Sequence, residues 1–427
     1  MKIIIVNYRY FVSGGPERYL FNIKQVLESH GHEVVPFSVK SSLNQPTEYE
    51  DYFMSPIGSG KEVYYNEYNK KSPKTFFKVL IRMFYSREAK KKLSALIRKV
   101  QPDLVYVLHY QNKISPAIFD AARKHNIPVV YRASDFGQIC ANALFYRYNK
   151  KDTCERCLSG SRWNAVINKC VFNSYLLSAV KASALGLQDL LKVKNKIDAY
   201  VIPSGFTLSK FQQFGVPAEK LNCIPTFFNF ANTDNSLAIT YEPFAVYVGR
   251  LEEEKGLLTL VKAFVNTGQR LVIIGSASGG YDKVLVDFLK DKEHRIEFTG
   301  QLNFDAIQQY LRTCAFTVMP AEWYENFPNS VLESYAFRKP VVASDSGSLK
   351  EIVDDRYTGL LFPAKNAEAL RVCITGLLAD PARCRQLGEN AYHKLTTAYS
   401  AEAHYRKLEE VFNRVVQTRK RIKESVQ

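Results

Sequence analysis

The chain repeats one pattern along most of its length: a short apolar run, a turn, and a longer stretch with helical periodicity. Lys2–Val6 opens the first copy and suits a parallel strand that is buried on both faces. A turn at Gly14-Gly15 follows, and a helix is expected to begin at Pro16-Glu17, since proline suits the first turn and an acid suits the positive helix end. This alternation predicts open parallel sheets with helices on both faces.

The pattern runs twice, and the two runs are separated by a polar stretch at residues 229–241. A chain of 427 residues is also too long for one hydrophobic core. The predicted strands of the first run are Lys2–Val6, Glu33–Val39, Leu104–Leu108, Pro128–Tyr131, Ala199–Ile202 and Leu221–Ile224. Those of the second run are Ala245–Val248, Arg270–Ile274, Ile296–Thr299, Phe316–Met319, Pro340–Ala343 and Gly359–Phe362.

The predicted fold is therefore α/β, with two Rossmann-like domains that face each other across a cleft. Residues 1–228 form the first domain and residues 229–400 the second. Residues 401–427 form a helix with a basic tail at Arg419–Arg421, and this helix is expected to cross back to the N-terminal domain. A ligand shared by both domains would bind at the carboxyl ends of the strands.

The chain carries a large positive charge, because 58 lysines and arginines face 42 acids, a formal net charge of +16. This charge favours an anionic partner, such as a nucleotide, a phosphorylated lipid, an acidic membrane surface or a nucleic acid. Tyr8-Arg9-Tyr10 interrupts the first apolar run too early for a signal peptide, and no apolar stretch is long enough to span a bilayer. We therefore expect a cytoplasmic protein.

Two cations follow the first strand of the second run. Gly249-Arg250 ends that strand, and Lys255-Gly256 is expected to begin a helix. A lysine in the first turn of a helix is unfavourable unless an anion lies nearby, so the pair suits a diphosphate. The alternative is a surface arginine with a solvated lysine.

Two carboxylates follow a later strand of the same run. Glu325 lies in a loop, a helix is expected to start near Pro328, and Glu333 falls within its first two turns. Both could accept hydrogen bonds from sugar hydroxyls while backbone amides at the helix start hold phosphate. The alternative is structural: Ser330-x-x-Glu333 matches a capping box, and Glu325 would favour the helix dipole.

The order and spacing of these elements resemble glycosyltransferase family 4, which has the GT-B fold. The resemblance is dense from Ala245 to Leu378 and weaker in the N-terminal half, where Gly14–Arg18 and Cys223–Asn229 carry it. The dense part contains Gly249-Arg250 with Lys255-Gly256, Gly275, Phe298–Leu302, Glu325-x7-Glu333, Arg338–Val342 and Gly359–Phe362.

The resemblance implies a retaining transferase that uses a UDP- or GDP-sugar as co-substrate and needs no catalytic metal. Arg250 and Lys255 would neutralise the donor diphosphate, Glu325 would contact the transferred sugar, and Glu333 would bind the ribose. An oxocarbenium-like transition state is stabilised by a nearby carboxylate, which is consistent with this assignment. The remaining implied donor contacts are Gly14, Gly15, Gly275, Gln301, Leu302, Asn326 and Phe327.

The N-terminal domain departs from the family pattern at one position. Many relatives have a His-Asp pair after the strand Pro128–Tyr131, whereas this chain has Ser134-Asp135. Ser134 therefore stands where the histidine is expected. Asp135, or His109 at the end of another strand, could take the catalytic place, although a lone histidine at a strand end is more often structural.

Four of the eight cysteines form a local group with the spacing C-x13-C-x2-C-x12-C. They are Cys140, Cys154, Cys157 and Cys170, and four thiolates could complete a tetrahedral structural zinc site. The spacing is not that of a common zinc finger. Buried free thiols and an oxidation-prone pair therefore remain alternatives.

Residues 70–100 are the most basic part of the chain and contain interleaved aromatic residues. Such a segment could lie in an anionic membrane interface, or it could be an ordinary domain helix with solvated charges. Because acceptors of this family are often lipid-linked, we expect peripheral membrane contact. No RNA-binding signature is present, and a nucleic-acid partner is not expected.

Three other functions are compatible with a Rossmann-like chain. A nicotinamide-dependent oxidoreductase is disfavoured because the loop Tyr8–Pro16 lacks G-x-G-x-x-G. A nucleotide-sugar epimerase and a non-catalytic sugar- or membrane-binding scaffold remain as alternatives, the scaffold being favoured only by Ser134. Family habit indicates transfer to a glycan or lipid-linked acceptor in cell-surface polysaccharide biosynthesis, such as lipopolysaccharide or capsule.

Overall fold

The fold is described from a computed structural model, which covers residues 1–61, 73–230, 233, 238–277 and 279–426. Within these residues lie two six-stranded sheets and a two-stranded antiparallel hairpin. The strands are β1 Lys2–Val6, β2 Glu33–Phe37, β3 Leu104–Val107, β4 Val129–Arg132, β5 Tyr146–Arg147, β6 Asp152–Thr153, β7 Ala199–Ile202, β8 Leu221–Cys223, β9 Glu242–Val248, β10 Arg270–Ile274, β11 Arg295–Gly300, β12 Cys314–Met319, β13 Val341–Ser344 and β14 Gly359–Phe362.

The helices of the described residues lie mostly between consecutive strands. They are α1 Gly15–Ser29, α2 Pro73–Phe84, α3 Arg87–Val100, α4 Ala117–Lys124, α5 Arg156–Ser159, α6 Asn164–Ile167, α7 Tyr175–Leu190, α8 Val193–Lys196, α9 Gly205–Gln213, α10 Leu257–Phe264, α11 Tyr281–Leu289, α12 Phe304–Thr313, α13 Asn329–Ala336, α14 Leu349–Ile352, α15 Ala367–Leu378, α16 Pro381–Ala398 and α17 Ala401–Val426.

Both large sheets are parallel, as the near-continuous apolar runs predict. The N-terminal sheet has the order β2-β1-β3-β4-β7-β8, and the C-terminal sheet has the order β11-β10-β9-β12-β13-β14. In each sheet the first strand lies inside and the chain builds outwards on both sides of it. The order therefore reverses next to β1 and next to β9, and each reversal opens a crevice at the carboxyl ends of the strands.

Eight of the twelve predicted strands differ from the structure by one to three residues at an end, and two further predicted boundaries differ as well. The helix expected to begin at Lys255-Gly256 begins at Leu257, because residues 253–255 form a 3₁₀ turn and Gly256 is the cap with φ 74°. The basic tail at 419–421 is not an extension beyond the last helix but part of α17. Of the linker predicted at 229–241, residues 231–232 and 234–237 lie outside the described residues, as do residues 70–72 of the basic segment.

The last helix returns to the N-terminal domain, as expected for this fold. Leu408 and Phe412 of α17 are fully buried in a cluster that also contains Ile3 and Ile5 of β1. The Phe412 ring packs edge-on against Tyr106 of β3. This packing covers one face of the N-terminal sheet with the C-terminal end of the chain. No helix among the described residues is long and apolar enough to cross a membrane.

Candidate functional site

The centre of the C-terminal crevice is an ion pair between loops that follow two neighbouring strands. Lys255 follows β9, Glu325 follows β12, and the Lys255 Nζ lies 2.6 Å from Glu325 Oε1. The indole Nε1 of Trp323 donates to the same carboxylate oxygen at 3.0 Å. The Lys255 ammonium also lies 4.8 Å from the centre of the Trp323 ring. Glu325 is buried and the Lys255 side chain is 15% exposed, so the pair is largely shielded from solvent and is formed before any ligand arrives.

The anion beside Lys255 is thus a carboxylate of the chain itself, and Arg250 is likewise paired. Arg250 Nη1 lies 2.6 Å from Glu252 Oε2, and the arginine side chain remains 56% exposed. A diphosphate would therefore meet one exposed guanidinium and one buried ammonium at the same end of the sheet. A strong anion that bound here would have to replace a carboxylate of the chain as the partner of each cation.

The strand ends beside Arg250 approach each other very closely. Gly275 has φ 151°, and a Cβ on it would lie 1.8 Å from the carbonyl oxygen of Gly249. The amide of Gly275 donates to the carbonyl of Gly300, and the hydroxyl of Ser276 donates to Gln301 at 3.3 Å. Gly275 and Gln301 therefore lie at the same edge as Arg250, where sequence analysis places the donor.

Glu333 lies in α13 and makes its contact with the other domain. Its Oε1 accepts from Arg18 of α1 at 2.6 Å. Burial raises the pKa of the Glu333 carboxyl, and the Arg18 guanidinium opposes that rise. Glu333 is not the second half of a capping box, because the cap of α13 is Pro328 and Ser330 lies inside the helix. The capping-box alternative for Glu333 is therefore wrong, and its role in binding the ribose stays a prediction.

The starts of helices α1 and α13 face each other across the cleft. Asn329 at the start of α13 donates to the carbonyl of Gly15 at 3.3 Å, and a Cβ on Gly15 would lie 3.0 Å from that amide nitrogen. Gly14 is the cap of α1, and a Cβ on it would lie 3.7 Å from a carboxylate oxygen of Glu17, an ordinary contact distance. Two helix N-termini at one place provide unpaired backbone amides and positive dipole ends, both of which attract a phosphate group.

Three predicted donor contacts have structural partners. Asn326 spans the cleft, since it donates to the Ala133 carbonyl at 2.8 Å and accepts from Thr207 at 2.7 Å. Phe327 packs edge-on against Tyr399 within the C-terminal domain. Leu302 packs against the apolar cluster beside β9 and β10. Their roles in binding a donor stay predictions.

The corresponding crevice of the N-terminal domain contains the histidine and the aspartate that could replace the missing His-Asp pair. His109 follows β3, and its Nε2 lies 3.8 Å from Oδ2 of Asp135, which follows β4. Asn7 follows β1 and holds the other ring nitrogen at 3.2 Å. Burial lowers the pKa of His109 and so favours the neutral ring, while Asp135 opposes the shift.

Ser134 occupies the expected histidine position, but its hydroxyl accepts from Arg132 at 2.9 Å. Arg132 is buried, donates to Thr226 at 2.7 Å and lies 3.8 Å from the centre of the Tyr19 ring. Ala133, which precedes Ser134, is bonded to Asn326, which follows Glu325. The two crevices therefore meet at one point of the cleft.

Four residues of the site were not predicted from the sequence: Asn7, Arg18, Arg132 and Trp323. Arg18 belongs to the quoted Gly14–Arg18 motif, and its charge was the available signal. Trp323 precedes Glu325 by two residues, but nothing local shows that its ring faces the carboxylate. Asn7 and Arg132 read as the polar ends of strands, and only the tertiary contacts show their partners.

The four cysteines are brought together. Cys140, Cys154, Cys157 and Cys170 line one small cavity, and Asn142 and Arg147 lie beside them. As the side chains lie, no three His, Cys, Asp or Glu residues of the described part of the chain are grouped closely enough to hold a metal ion. The other four cysteines lie elsewhere, Cys314 and Cys384 being buried, Cys373 partly buried and Cys223 exposed.

Two family models match the chain on the two sides of the cleft. Residues 13–141 match Glycosyltransferase Family 4, and residues 230–394 match Glycosyl transferases group 1. The first match contains Gly14, Gly15 and Asp135, and the second contains Arg250, Lys255, Glu325 and Glu333.

Curated relatives match over part of their length. An uncharacterized glycosyltransferase of Methanocaldococcus jannaschii is 33% identical over 34% of this chain and 41% of its own. The lipopolysaccharide 1,2-N-acetylglucosaminetransferase of Salmonella typhimurium is 25% identical over 49% of this chain and 60% of its own. The chain thus spans between two fifths and three fifths of the lengths of these relatives.

Solved structures share the fold over nearly the whole chain. Sucrose-phosphate synthase from Thermosynechococcus elongatus superimposes with a TM-score of 0.71 at 19% identity, covering 98% of this chain and 99% of that one. Anabaena HepE in complex with UDP-glucose superimposes with a TM-score of 0.60 at 17% identity, covering 98% and 99%. Residues 13–141 and 230–394 thus each match a glycosyltransferase family model, and the two facing Rossmann-like domains have the GT-B fold of these solved structures.

Proposed function

We propose that this protein transfers a sugar, with retention, from a UDP-sugar to a glycan or lipid-linked acceptor in cell-surface polysaccharide biosynthesis. The observation that carries the proposal is the buried Lys255–Glu325 pair, which Trp323 holds at the carboxyl edge of the C-terminal sheet. UDP is favoured over GDP because the HepE structure of the same fold contains UDP-glucose. The family match and the lipopolysaccharide relative support the acceptor class.

The site residues suit the charges that form during transfer. When the bond between the anomeric carbon and the diphosphate breaks, negative charge builds on the leaving group and positive charge on the sugar. Arg250 and Lys255, with the facing starts of α1 and α13, would stabilise the diphosphate. Glu325 would then stabilise the cationic sugar, and Glu333 would bind the ribose. All of these groups belong to the chain, and the proposed reaction uses no catalytic metal.

We assign the N-terminal side of the reacting sugar to His109 and Asp135 rather than to Ser134. The Ser134 hydroxyl is held by Arg132, whereas the neutral imidazole of His109 is oriented by Asn7 and lies near Asp135. A neutral imidazole beside a carboxylate can hydrogen-bond a sugar hydroxyl without adding charge. This pair therefore restores a His-Asp arrangement from the ends of two neighbouring strands.

The donor proposal is tested by thermal shift of the purified protein against UDP, GDP, ADP and their sugar conjugates, with NAD as a control. A ligand that binds only the folded state raises the Tm, and we expect the largest rise with UDP compounds. Lys255→Ala should raise the apparent Kd for UDP compounds at least tenfold and so reduce the rise in Tm, because it removes a charge-assisted contact with the diphosphate. Lys290→Ala, an exposed lysine of the same domain, is the matched control.

Equal Tm shifts for wild type and Lys255→Ala would contradict the site assignment. The absence of any nucleotide shift in a cooperatively melting protein would favour the scaffold alternative. Stereochemistry is checked separately by NMR of the anomeric proton in the product, where the donor configuration must persist.

We also propose that α2 contacts an anionic membrane surface during transfer. Phe76, Phe77 and Ile81 of this helix are 48%, 61% and 54% exposed, which is unusual for large apolar side chains on one helix. Residues 73–99 carry nine lysines and arginines against the single acid Glu88. Exposed aromatic residues with basic neighbours suit the interface of an anionic bilayer.

Vesicle co-sedimentation tests this contact. Phe77→Ser should weaken binding to vesicles that contain anionic lipid several-fold, while zwitterionic vesicles bind little of either protein. Val372→Ser removes a comparably exposed apolar side chain from α15 of the other domain and should leave binding unchanged. Equal sedimentation of wild type and Phe77→Ser would show that α2 is not the contact.

A further inference from the structure

The segment between β4 and α7, residues 133–174, is mostly irregular and contains only the two-residue strands β5 and β6 and the four-residue helices α5 and α6. Its first half packs into the main N-terminal core through Phe136 and Phe145. Its second half, residues 159–174, has Ala165 as its buried apolar side chain, in a small cluster with Cys157 and Cys170 packed against it. An irregular stretch with so little buried apolar area usually needs a cross-link or a metal to hold one conformation.

The backbone of this segment is also strained. Six of its residues other than glycine have positive φ, in the range from 48° to 65°: Ala143, Phe145, Lys151, Lys169, Phe172 and Asn173. Each such residue costs about 1 kcal/mol unless surrounding contacts impose it. A group that holds the turns together from within would offset this cost.

The cysteines are the groups at the inside of these turns. All four line the same cavity, and the residues that line it include no carboxylate. Backbone amides of Asn142, Leu144 and Phe145 point at the Cys140 sulfur. The charged side chain of the lining, Arg147, is paired with Asp152. The cavity thus gathers four sulfur donors with no competing carboxylate among its lining residues.

We propose that Cys140, Cys154, Cys157 and Cys170 bind one structural Zn²⁺ ion in this cavity. The donor set fits, because four thiolates complete a closed tetrahedral site and Cys154-x2-Cys157 has the spacing of a zinc-binding turn. The sulfurs are not grouped for a metal as they lie, so binding requires them to turn inward from the cavity wall. Metal uptake would then release the thiol protons and order the segment.

The ion would act on the donor site at a distance, through the contacts of this segment with the C-terminal domain. Lys151 lies 3.4 Å from Glu253, which is in the 3₁₀ turn that ends at Lys255. The Phe145 ring packs edge-on against Tyr324, the residue before Glu325. Zinc would thus position the segment against both halves of the Lys255–Glu325 pair without touching the reacting atoms.

The metal is measured on the full chain, purified under reducing conditions without chelator, by elemental analysis and by colorimetric release of zinc with a thiol reagent. We expect about one zinc per chain, which is lost in Cys157→Ser and retained in Cys157→His, since histidine is also a zinc ligand. Cys223→Ser, at an exposed cysteine outside the cluster, should keep its zinc. Wild-type stoichiometry decides the question even if a variant fails to fold.

Two results would overturn the proposal: less than a tenth of an equivalent of metal in the reduced protein even after incubation with Zn²⁺, or a disulfide between two of the four cysteines in the freshly isolated chain. The predicted effect on the donor rests on the proposed function. We expect zinc loss to weaken UDP binding about tenfold, the size of an effect transmitted by a neighbouring structural shell. Zinc at one equivalent without UDP binding would refute the donor proposal and leave the zinc site intact.

Discussion

At the scale of single residues, backbone conformation decides where the functional side chains lie. Gly256 has φ 74° and ends the 3₁₀ turn that presents Lys255. A Cβ at this position would lie 1.8 Å from the carbonyl oxygen of Pro320, on the strand end that leads to Glu325. The close backbone contact between the two loops therefore brings Lys255 within 2.6 Å of Glu325.

Gly256→Ala should consequently damage both stability and donor binding. The substitution adds left-handed strain and a collision with backbone, and together these should lower the free energy of unfolding by about 2–4 kcal/mol. Denaturant unfolding measures the change. Gly376→Ala is the control, because Gly376 lies inside α15 with open space around it. This substitution should raise the free energy of unfolding by about 0.5–1 kcal/mol. Equal effects of the two substitutions would show that the contact with Pro320 is not tight.

At the scale of elements, α17 is held on the N-terminal domain by apolar packing and by a buried histidine. His404 Nδ1 lies 2.7 Å from the Pro225 carbonyl, and its Nε2 lies 2.9 Å from the Tyr19 hydroxyl. Burial lowers the pKa of His404 to about 3, with Arg132 and Lys407 acting in the same direction. The folded protein thus keeps this ring neutral.

The docking of α17 should weaken in acid. Because the folded pKa lies below the unfolded value of about 6.5, the unfolded chain binds an extra proton between the two values, and stability falls as the pH drops through this window. Amide hydrogen exchange in α17 should be faster at pH 5 than at pH 7 after correction for the intrinsic rates. His404→Gln should reduce this dependence, whereas His393→Gln, at an exposed position of α16, should not.

His32 also has a pKa lowered by burial and contacts Tyr405 of the same helix, so some dependence will persist in His404→Gln. The comparison is therefore the difference between wild type and variant at each pH. An identical pH profile for wild type and His404→Gln would contradict the assigned role of His404.

At the scale of the whole molecule, the cleft is closed by a few polar contacts between the domains. Asn326 bonds both Ala133 and Thr207, and Arg18 pairs with Glu333. Each hydrogen bond of this kind contributes about 1 kcal/mol, and bonds to charged groups about twice that. The balance between an open and a closed cleft is thus sensitive to single side chains.

Asn326→Ala should shift this balance towards an open cleft about fivefold to thirtyfold, since two contacts are lost at about 0.5–1 kcal/mol each. Small-angle scattering should show a larger radius of gyration, and UDP binding should weaken by a similar factor. Asn390→Ala removes an amide–carbonyl bond within the C-terminal domain and should change neither quantity. An unchanged radius of gyration in Asn326→Ala would show that other contacts keep the cleft closed.

The strands of the two sheets follow from local pattern. Lys2–Val6, Ala199–Ile202, Arg270–Ile274 and Gly359–Phe362 match the structure at both ends, because apolar runs buried on both faces end where polar residues begin. The predicted start of α10 at Lys255-Gly256 was wrong. The 3₁₀ turn at 253–255 depends on the close contact of Gly256 with Pro320, a residue distant in sequence.

The residues of the candidate site could be predicted from the sequence, but their partners could not. The presence of Arg250, Lys255, Glu325 and Glu333 after two strands could be predicted, because the pattern places them at one sheet edge. Their partners could not, since Lys255 and Glu325 are 70 residues apart and Arg18 and Glu333 are 315 residues apart. Pairings over such separations depend on the strand order, which periodicity does not encode.

The amino-acid sequence by itself thus determined the class of fold, the two-domain organisation, the resemblance to glycosyltransferases and the set of charged residues at the strand ends. These follow from periods of two to four residues and from motifs that are contiguous in the chain. The tertiary structure alone decided that Lys255 is neutralised by Glu325, that His109 lies beside Asp135, and that four cysteines surround one cavity. Each of these depends on which loops the two sheets bring to one place, and that is a property of packing rather than of local sequence.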